Sequence, residues 1–472
     1  MTTVYQALRF ELDPNNRAAS KLSSHCGASR FAYNTMLAYV IWALDARAFE
    51  KRTTGEAKTP VPWNLYSLRK MWNNEVKSWA APWWKDNSKE AYNSGLDALA
   101  RALDAFSKSR KGIRKGKRVG FPNFHSKGAR RSYRISTGAF GLVDGRHVKI
   151  PRIGVIRSKE PTTALLGKLS HNSARVLSAT ITYEAGRWFI SFGCEVCRQD
   201  LPARNPDAVV GVDLGVHHLA VLSTGEVIDN PKALNAYQRR MARLQRELSR
   251  RTKGSRRRAH TKAKLSRCHA RVANVRRDAI HKLTSGLAAT YGTVVIEDLN
   301  IAGMTAAPKP RPDPENPGSF VRNQRTSKAG LNRVVLDVSP GEFRRQLSYK
   351  LEWHGGRLMI AERFFPSSKM CSSCGEVKAK LSRSTRLYRC KKCSLGIDRD
   401  YNAALNLAAY GRRVLLQDVA VSGTETKNAR GGGHPRLWPK PPVKREDGSG
   451  QPGRNVTATG QPVAPKMLSE VA

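Results

Sequence analysis

The sequence predicts a multidomain protein of the α+β class. Its 472 residues, of which 40% are hydrophobic, are enough for two to four domains with substantial cores. A strand pattern at residues 3–12 precedes helical periodicity between 29 and 110, and strand patterns return from 135 to 195. A second series begins at residue 209 with three successive strand patterns, a helical hairpin and a further strand. A loop rich in Pro, Arg and Ser is predicted over 304–330, before a helix, a strand and a cysteine-rich segment. Runs of strands separated from runs of helices are typical of α+β architecture or of separate domains.

The chain carries a large positive charge. It contains 83 Lys and Arg against 37 Asp and Glu, which gives a formal net charge of +46 and a pI near 10.6. Such an excess favours a polyanionic partner, and nucleic acid is the first candidate. A membrane is less favoured, because the apolar stretch at 36–44 is far shorter than the ~18 residues that a transmembrane helix needs. The N-terminus also lacks the features of a signal peptide.

The first half of the chain combines helices with a basic segment and a hairpin. Apolar residues recur at helical spacing in 29–52, 66–79 and 88–110. The basic, glycine-rich segment 110–134 also contains Phe, Tyr and His, which suits nucleic-acid binding, although a solvated basic loop is an equally good interpretation. The segment 175–196 predicts a β-hairpin that turns between Glu184 and Arg187.

A long helical hairpin is predicted over residues 237–292. Between 239 and 282 it contains 17 Lys and Arg but only two acids. Pairing of opposite charges along the helices cannot neutralise this excess, so the hairpin is a candidate surface for phosphates. A solvated helix face is the alternative. The candidate nucleic-acid contacts on this hairpin are Arg256, Arg257 and Arg258.

Cysteine spacing predicts one structural zinc site. Eight cysteines are few for this length, which indicates a reducing compartment and excludes a disulfide scaffold. Two CxxC pairs fifteen residues apart are typical of a zinc ribbon, in which four thiolates leave no open position for chemistry. A further CxxC pair, Cys194 and Cys197, has no second pair nearby, and we do not expect metal there. The predicted Zn²⁺ ligands are Cys371, Cys374, Cys390 and Cys393.

Three carboxylates have similar settings in the second half of the chain. Asp213 lies in an apolar strand, Glu297 ends the strand pattern at 293–300, and Asp400 falls in the first turn of a late helix. A buried lone carboxylate is costly unless it meets a cation, so Asp213 is either a salt-bridged core residue or a metal ligand. If these acids converge at strand ends and a helix N-terminus, they form a binding site for two Mg²⁺ ions. Such a site predicts hydrolysis of a phosphodiester.

Four motifs in fixed order resemble a known family. "GVDLG", "VIEDLN", "SSKMCSSCG" and "DRDYNAALNL" are similar to the RuvC-I, RuvC-II, zinc-ribbon and RuvC-III motifs of TnpB, the transposon-associated RNA-guided nuclease. The likeness covers roughly residues 1–411, and Asp298 and Asp398 are neighbours of the motif acids. By this resemblance the metal-binding catalytic residues are Asp213, Glu297 and Asp400.

The resemblance also implies partners and a domain arrangement. The partners are a guide RNA and a double-stranded DNA target, with no membrane, and the location is the prokaryotic cytoplasm, at the nucleoid when DNA is bound. The oligomeric state stays open. The implied domains are a WED-like β-barrel (1–14 and 126–205) with an inserted helical recognition lobe (15–125), a RuvC-like, RNase H-like nuclease domain (206–366 and 397–412) and a zinc ribbon (367–396). Beyond them, a composition rich in Gly, Pro, Thr and charge predicts a disordered tail (413–472).

Alternative functions stay open at this point. Compact type V CRISPR effectors share the same motifs and chemistry, and the surroundings of the gene would separate them from TnpB. An RNA-guided repressor without cleavage should have a damaged triad, whereas all three acids are present. A DNA-strand-joining transposase is not supported, because we find no Tyr or Ser in a clear nucleophilic setting. A P-loop NTPase is excluded, because no glycine-rich motif is complete.

Overall fold

The computed structural model of the chain describes residues 2–128, 131–198, 201–316, 318–382 and 384–422. The described residues form two compact units, of which the first ends at Arg198 and the second follows it. Each unit combines its own sheet with helices and has its own hydrophobic core. This arrangement confirms the predicted mixed, multidomain class.

The first unit is built on a seven-stranded antiparallel sheet. Its strands are β1 (Thr2–Asp13), β2 (Arg131–Ile135), β3 (Gly141–Leu142), β4 (His147–Ile150), β5 (Gly154–Ser158), β6 (Ala174–Glu184) and β7 (Arg187–Arg198). Strands β6 and β7 are the predicted hairpin, and Ala185 and Gly186 at its turn both have the positive φ of a type I′ turn. Strands β2 and β3 are the sheet edges, and closure into a barrel stays a prediction.

The helices of the first unit are α1 (Asn16–Thr53), α2 (Leu65–Met71), α3 (Lys77–Ala80), α4 (Lys89–Arg110) and α5 (Thr163–Ser170). Helix α1 starts well before the predicted residue 29, because the Asn15 side chain accepts a hydrogen bond from the N–H of Ala18 and caps it there. The helix predicted at 66–79 is divided between α2 and α3 by a π-helical turn at Trp72–Val76.

The apolar stretch 36–44 of α1 belongs to the core of the first unit. Met36 and Val40 have no exposed surface, and α1 packs against α4. Gly95 of α4 permits this packing, because a Cβ there would lie 2.1 Å from the carbonyl oxygen of Ser29. Across the described part of the chain, every helix is too short or too polar to cross a membrane.

The second unit contains a five-stranded mixed sheet. Its strands are β8 (Asn205–Asp213), β9 (His218–Leu222), β10 (Val227–Asp229), β11 (Tyr291–Glu297) and β14 (Arg357–Ala361), in the order β10-β9-β8-β11-β14. Strands β8, β11 and β14 are parallel, while β9 and β10 run antiparallel to their neighbours. This is the predicted succession of three strands, a helical hairpin and a further strand.

Helices and two small ribbons complete the second unit. They are α6 (Ala233–Arg250), α7 (Arg256–Thr290), α8 (Ile301–Met304), β12 (Arg311–Pro312), β13 (Phe320–Val321), α9 (Arg325–Val338), α10 (Pro340–Trp353), β15 (Leu387–Arg389), β16 (Gly396–Asp398) and α11 (Arg399–Ser422). Helices α7 and α10 pack together, and α11 packs on β8 and β11.

Two predicted boundaries in the second unit are wrong. The loop expected over 304–330 contains the ribbon of β12 and β13 and the start of α9. Helix α11 runs through Ser422, past the expected start of the tail at 413, because Val414 and Leu415 continue its apolar face against the sheet. The rest of the predicted tail, 423–472, lies outside the described residues.

Gly211 of β8 brings α11 close to the sheet. A Cβ at Gly211 would lie 2.1 Å from the carbonyl oxygen of Ala404 and 2.6 Å from the amide nitrogen of Ala408. We expect Gly211→Ala to lower the free energy of unfolding in urea by about 1–3 kcal/mol, the usual cost of overpacking. Gly286→Ala on α7 is the matched control, because a Cβ there meets nothing within 4 Å. Equal stability of the two variants would show that α11 tolerates displacement from β8.

Candidate metal centres

The three predicted acids line one cavity of about 500 Å³ in the second unit. Asp213 is the last residue of β8, and Glu297 is the last residue of β11. These strands are parallel neighbours in which Val212 pairs with Ile296, so the two carboxylates leave the same edge of the sheet. Asp400 reaches the cavity from the first turn of α11. The structure therefore brings together residues that are far apart in the sequence.

The side chains of Asp398 and Asp400 have different surroundings. Asp398 Oδ1 accepts hydrogen bonds of 2.9 Å from the N–H groups of Asp400 and Tyr401, as a helix N-cap does. Asp400 is half-buried in the cavity lining, and its Oδ2 lies 3.5 Å from a guanidinium nitrogen of Arg386. Of the two acids, Asp400 is therefore the one available to the cavity.

Asp298 lies beside Glu297 but takes part in ion pairs. Its carboxylate accepts hydrogen bonds from Arg344 at 3.1 Å and from Arg363 at 2.9 Å. The hydrogen bond from Arg363 contributes most to holding the pKa of Asp298 below its usual value. Asp298 therefore remains ionised and joins α10 to the segment after β14.

The charge of Asp213 is unfavourable in these surroundings. Burial and the nearby carboxylates of Glu297 and Asp400 raise the pKa of Asp213 well above its ordinary value, and Arg399 offsets this only in part. A divalent cation would reverse the penalty, and carboxylate oxygens are the ligands that Mg²⁺ prefers. The donor set of the cavity therefore fits a hard divalent cation.

The spacing of the three carboxylates differs from that of the four cysteines. Among the described residues, only the cysteines form a group whose ligand atoms all lie within 4.8 Å of one another. The three carboxylates are thus more widely spaced around their cavity. Helix α9, which the sequence did not predict, supplies a wall of this cavity with Leu331, Val335 and Val338.

Four cysteine side chains meet at a second candidate metal centre. Their sulfur atoms include two pairs 3.6 Å apart, one between Cys371 and Cys393 and one between Cys374 and Cys390. Each CxxC pair is followed by a tight turn in which the next residue, Gly375 or Ser394, has positive φ. The ribbon of β15 and β16 holds the second pair in place. This cluster fits a tetrahedral zinc site with every position filled by sulfur.

Backbone amides favour the thiolate form at this cluster. The N–H of Cys393, helped by that of Lys392, lowers the pKa of Cys390 to about 6. By contrast, despite a hydrogen bond from the backbone of Glu376, burial and hydrogen bonds to the other three cysteines raise the pKa of Cys374 to about 12. A thiolate is the form that binds zinc. The other CxxC pair is arranged differently: Cys194 is buried on β7 and Cys197 is exposed, as expected for residues three apart on a strand, which point to opposite faces.

The basic hairpin of α6 and α7 exposes most of its cations, but Arg258 is an exception. Arg256 and Arg257 are exposed at the start of α7. Arg258 is half-buried, and its guanidinium donates hydrogen bonds to the carbonyl oxygens of Leu248 and Arg251 at the end of α6. Arg258 thus closes the hairpin, and its guanidinium is occupied within the protein.

Three family models match parts of the chain. A family described as "Probable transposase" matches residues 191–307, a "Cas12f1-like, TNB domain" matches 341–407, and a "Helix-turn-helix domain" matches 1–48. In the structure, residues 2–48 are one strand and a single long helix.

Two curated relatives span most of the chain. A "Putative RNA-guided DNA endonuclease" of Mycobacterium tuberculosis is 38% identical over 426 residues, covering 86% of each chain. The protein of that name from Escherichia coli, InsQ, is 30% identical over 410 residues, covering 87% of this chain and 93% of its own. A solved Cas12f1–sgRNA–target DNA complex has 13% identity and a TM-score of 0.44, covering 86% of this chain and 99% of that one.

Proposed function

This chain belongs to the TnpB family, and on that premise we propose that it is an RNA-guided DNA endonuclease that hydrolyses guide-matched DNA with Mg²⁺. The observation that carries the proposal is the convergence of Asp213, Glu297 and Asp400 on one cavity. Membership of this family indicates a guide RNA and a DNA target as partners. The cavity offers oxygen ligands for divalent cations. A complete set of acids favours the nuclease over a repressor that has lost cleavage.

The three carboxylates have distinct tasks in this proposal. Asp213 and Glu297 would hold metal from adjacent strand ends, and Asp400 would hold it from the start of α11. Two Mg²⁺ ions held by these three carboxylates would supply the Lewis-acid chemistry that phosphodiester hydrolysis requires. Arg386 and Arg399, which also line the cavity, are placed to attract a phosphate.

Zinc has a structural task in the same unit. We assign one Zn²⁺ to the four-cysteine cluster, which would stabilise a segment with few buried side chains of its own. The second cysteine pair lies a few residues before Asp398 and Asp400 in the chain. Zinc would therefore stabilise the segment that leads into α11, the helix that carries Asp400.

The basic hairpin of α6 and α7 is proposed to bind RNA phosphates. Neutralising both Arg256 and Arg257 to Gln should weaken RNA binding and flatten the slope of log affinity against log salt by about 2, since each phosphate contact contributes ~1. Lys282→Gln is the control, because Lys282 on the same helix is already paired with Asp278 at 2.8 Å. An unchanged slope in the double variant would make the hairpin an ordinary solvated face. Arg258→Gln should instead lower stability.

RNA that copurifies with the protein tests the proposal. We expect its sequencing to recover one structured RNA that contains a guide segment, and replacing that segment should redirect cleavage to the newly matched DNA. RNA copied from a transposon end would distinguish this protein from a CRISPR effector, whose RNA comes from a repeat array. Cleavage at sites that do not depend on the RNA sequence would contradict the proposal that the RNA guides the protein.

A further inference from the structure

A short turn lies between the sheet and the zinc centre of the second unit. It covers residues 365–370, which three residues separate from the end of β14, and the amide of Met370 donates to the carbonyl oxygen of Pro366 at 2.8 Å. Ser367 in this turn is 3% exposed. Its hydroxyl donates a hydrogen bond to Oε1 of Glu297. The turn thus touches one of the three carboxylates directly.

Helix α11 holds the turn from the other side. The Asn406 side chain donates to the carbonyl oxygens of Ser367 and Met370, both at 2.7 Å. Asn402 donates to the same carbonyl of Met370 at 2.7 Å and accepts from the amide of Ser372 at 3.0 Å. Both asparagines are almost fully buried. Because they follow Asp400 on one helix, the helix that carries the third acid also fixes the turn.

An aromatic contact further limits movement of the turn. The ring of Phe365 packs on that of Tyr410 of α11, with their centroids 4.9 Å apart. Phe365 also packs against the core cluster that contains Val295 of β11 and Leu407 of α11. Hydrogen bonds and packing therefore hold Ser367 at a fixed distance from both metal-binding elements, β11 and α11.

We propose that Ser367 is a positioning residue for Glu297, which rests on the proposed function of the cavity as a metal centre. Its hydroxyl occupies Oε1 and so directs Oε2 of the same carboxylate towards the cation. A glutamate side chain has several rotatable bonds, so fixing one oxygen reduces the ordering required when metal binds. Hydrogen bonds to a ligating carboxylate typically contribute 10–100-fold in metal affinity or activity.

Binding of Mn²⁺ to the full-length protein without RNA tests this role independently of cleavage. We expect Ser367→Ala to raise the Kd for Mn²⁺, measured from the electron paramagnetic resonance of the free ion, by about tenfold. Ser367→Thr retains the hydroxyl, so its Kd for Mn²⁺ should lie between that of the wild type and that of Ser367→Ala. Ser158→Ala is the matched control, because Ser158 is a fully buried, hydrogen-bonded serine of the first unit. Thermal unfolding of each variant checks that the fold is intact.

Cleavage by the RNA complex gives the second measurement. Ser367→Ala should need about tenfold more Mg²⁺ for half-maximal cleavage, and its rate should recover at saturating Mg²⁺. Unchanged Mn²⁺ affinity in Ser367→Ala would overturn the proposal. Unchanged Mn²⁺ affinity in Asp213→Ala would also overturn it, because the ion would then bind outside this cavity. If the wild type never cleaves but Ser367→Ala still weakens Mn²⁺ binding, the positioning role stands and the nuclease function fails.

Discussion

Asp213→Ala, Glu297→Ala and Asp400→Ala should each slow cleavage of guide-matched DNA by about 10³-fold or more. Each change removes a metal ligand, and a bound metal supplies several kcal/mol of transition-state stabilisation. Binding of RNA and of the matched DNA should be retained, because base pairing and backbone contacts carry recognition. Cleavage and gel-shift assays on the same preparations separate the two effects.

Asp398→Ala is the matched control for these variants. Asp398 caps α11 through two backbone amides, so its loss should cost about 1 kcal/mol of stability and leave most of the cleavage rate. An inactive Asp398→Ala together with an active Asp400→Ala would show that the third ligand is Asp398. Loss of RNA binding in all three ligand variants would show instead that they fail to fold.

Removal of zinc should have the next largest effect. A Cys371→Ser/Cys390→Ser double variant should fall from about one zinc per chain to nearly none, measured by mass spectrometry of the metal, and should lose cleavage. The physical link is the turn 365–370, which contacts Glu297 through Ser367 and pairs with Val377 of the zinc segment through Met370. Cys197→Ser, at an exposed cysteine of the first unit, should retain its zinc. A double variant that keeps zinc and activity would contradict the assignment.

Several site residues could be predicted because their local sequence was unusual. Asp213 is an acid at the end of an apolar strand, and Glu297 ends a second such strand. The spacing of the four cysteines is sufficient to indicate a tetrahedral site. Helical periodicity placed Asp400 near a helix start, but only the hydrogen bonds of Asp398 distinguish the cap from the acid that lines the cavity.

Other features depended on contacts between distant segments. Ser367 reaches Glu297 across 70 residues of sequence, and no local pattern indicates this. Arg258 looks identical to Arg256 and Arg257 in the sequence, yet its guanidinium binds carbonyl oxygens at the end of α6. Helix α9 was missed because it follows a Pro-rich segment, although its apolar side chains form a wall of the cavity.

Cleavage of guide-matched duplex DNA by the wild-type protein with its RNA tests the nuclease assignment itself. In Mg²⁺ we expect cuts with 5′-phosphate and 3′-hydroxyl ends in matched DNA and none in mismatched DNA. In Ca²⁺ we expect binding with little cutting, since its looser coordination suits this site poorly. Matched DNA that is bound but remains uncut in every divalent cation would contradict the nuclease assignment and identify a guided DNA-binding repressor.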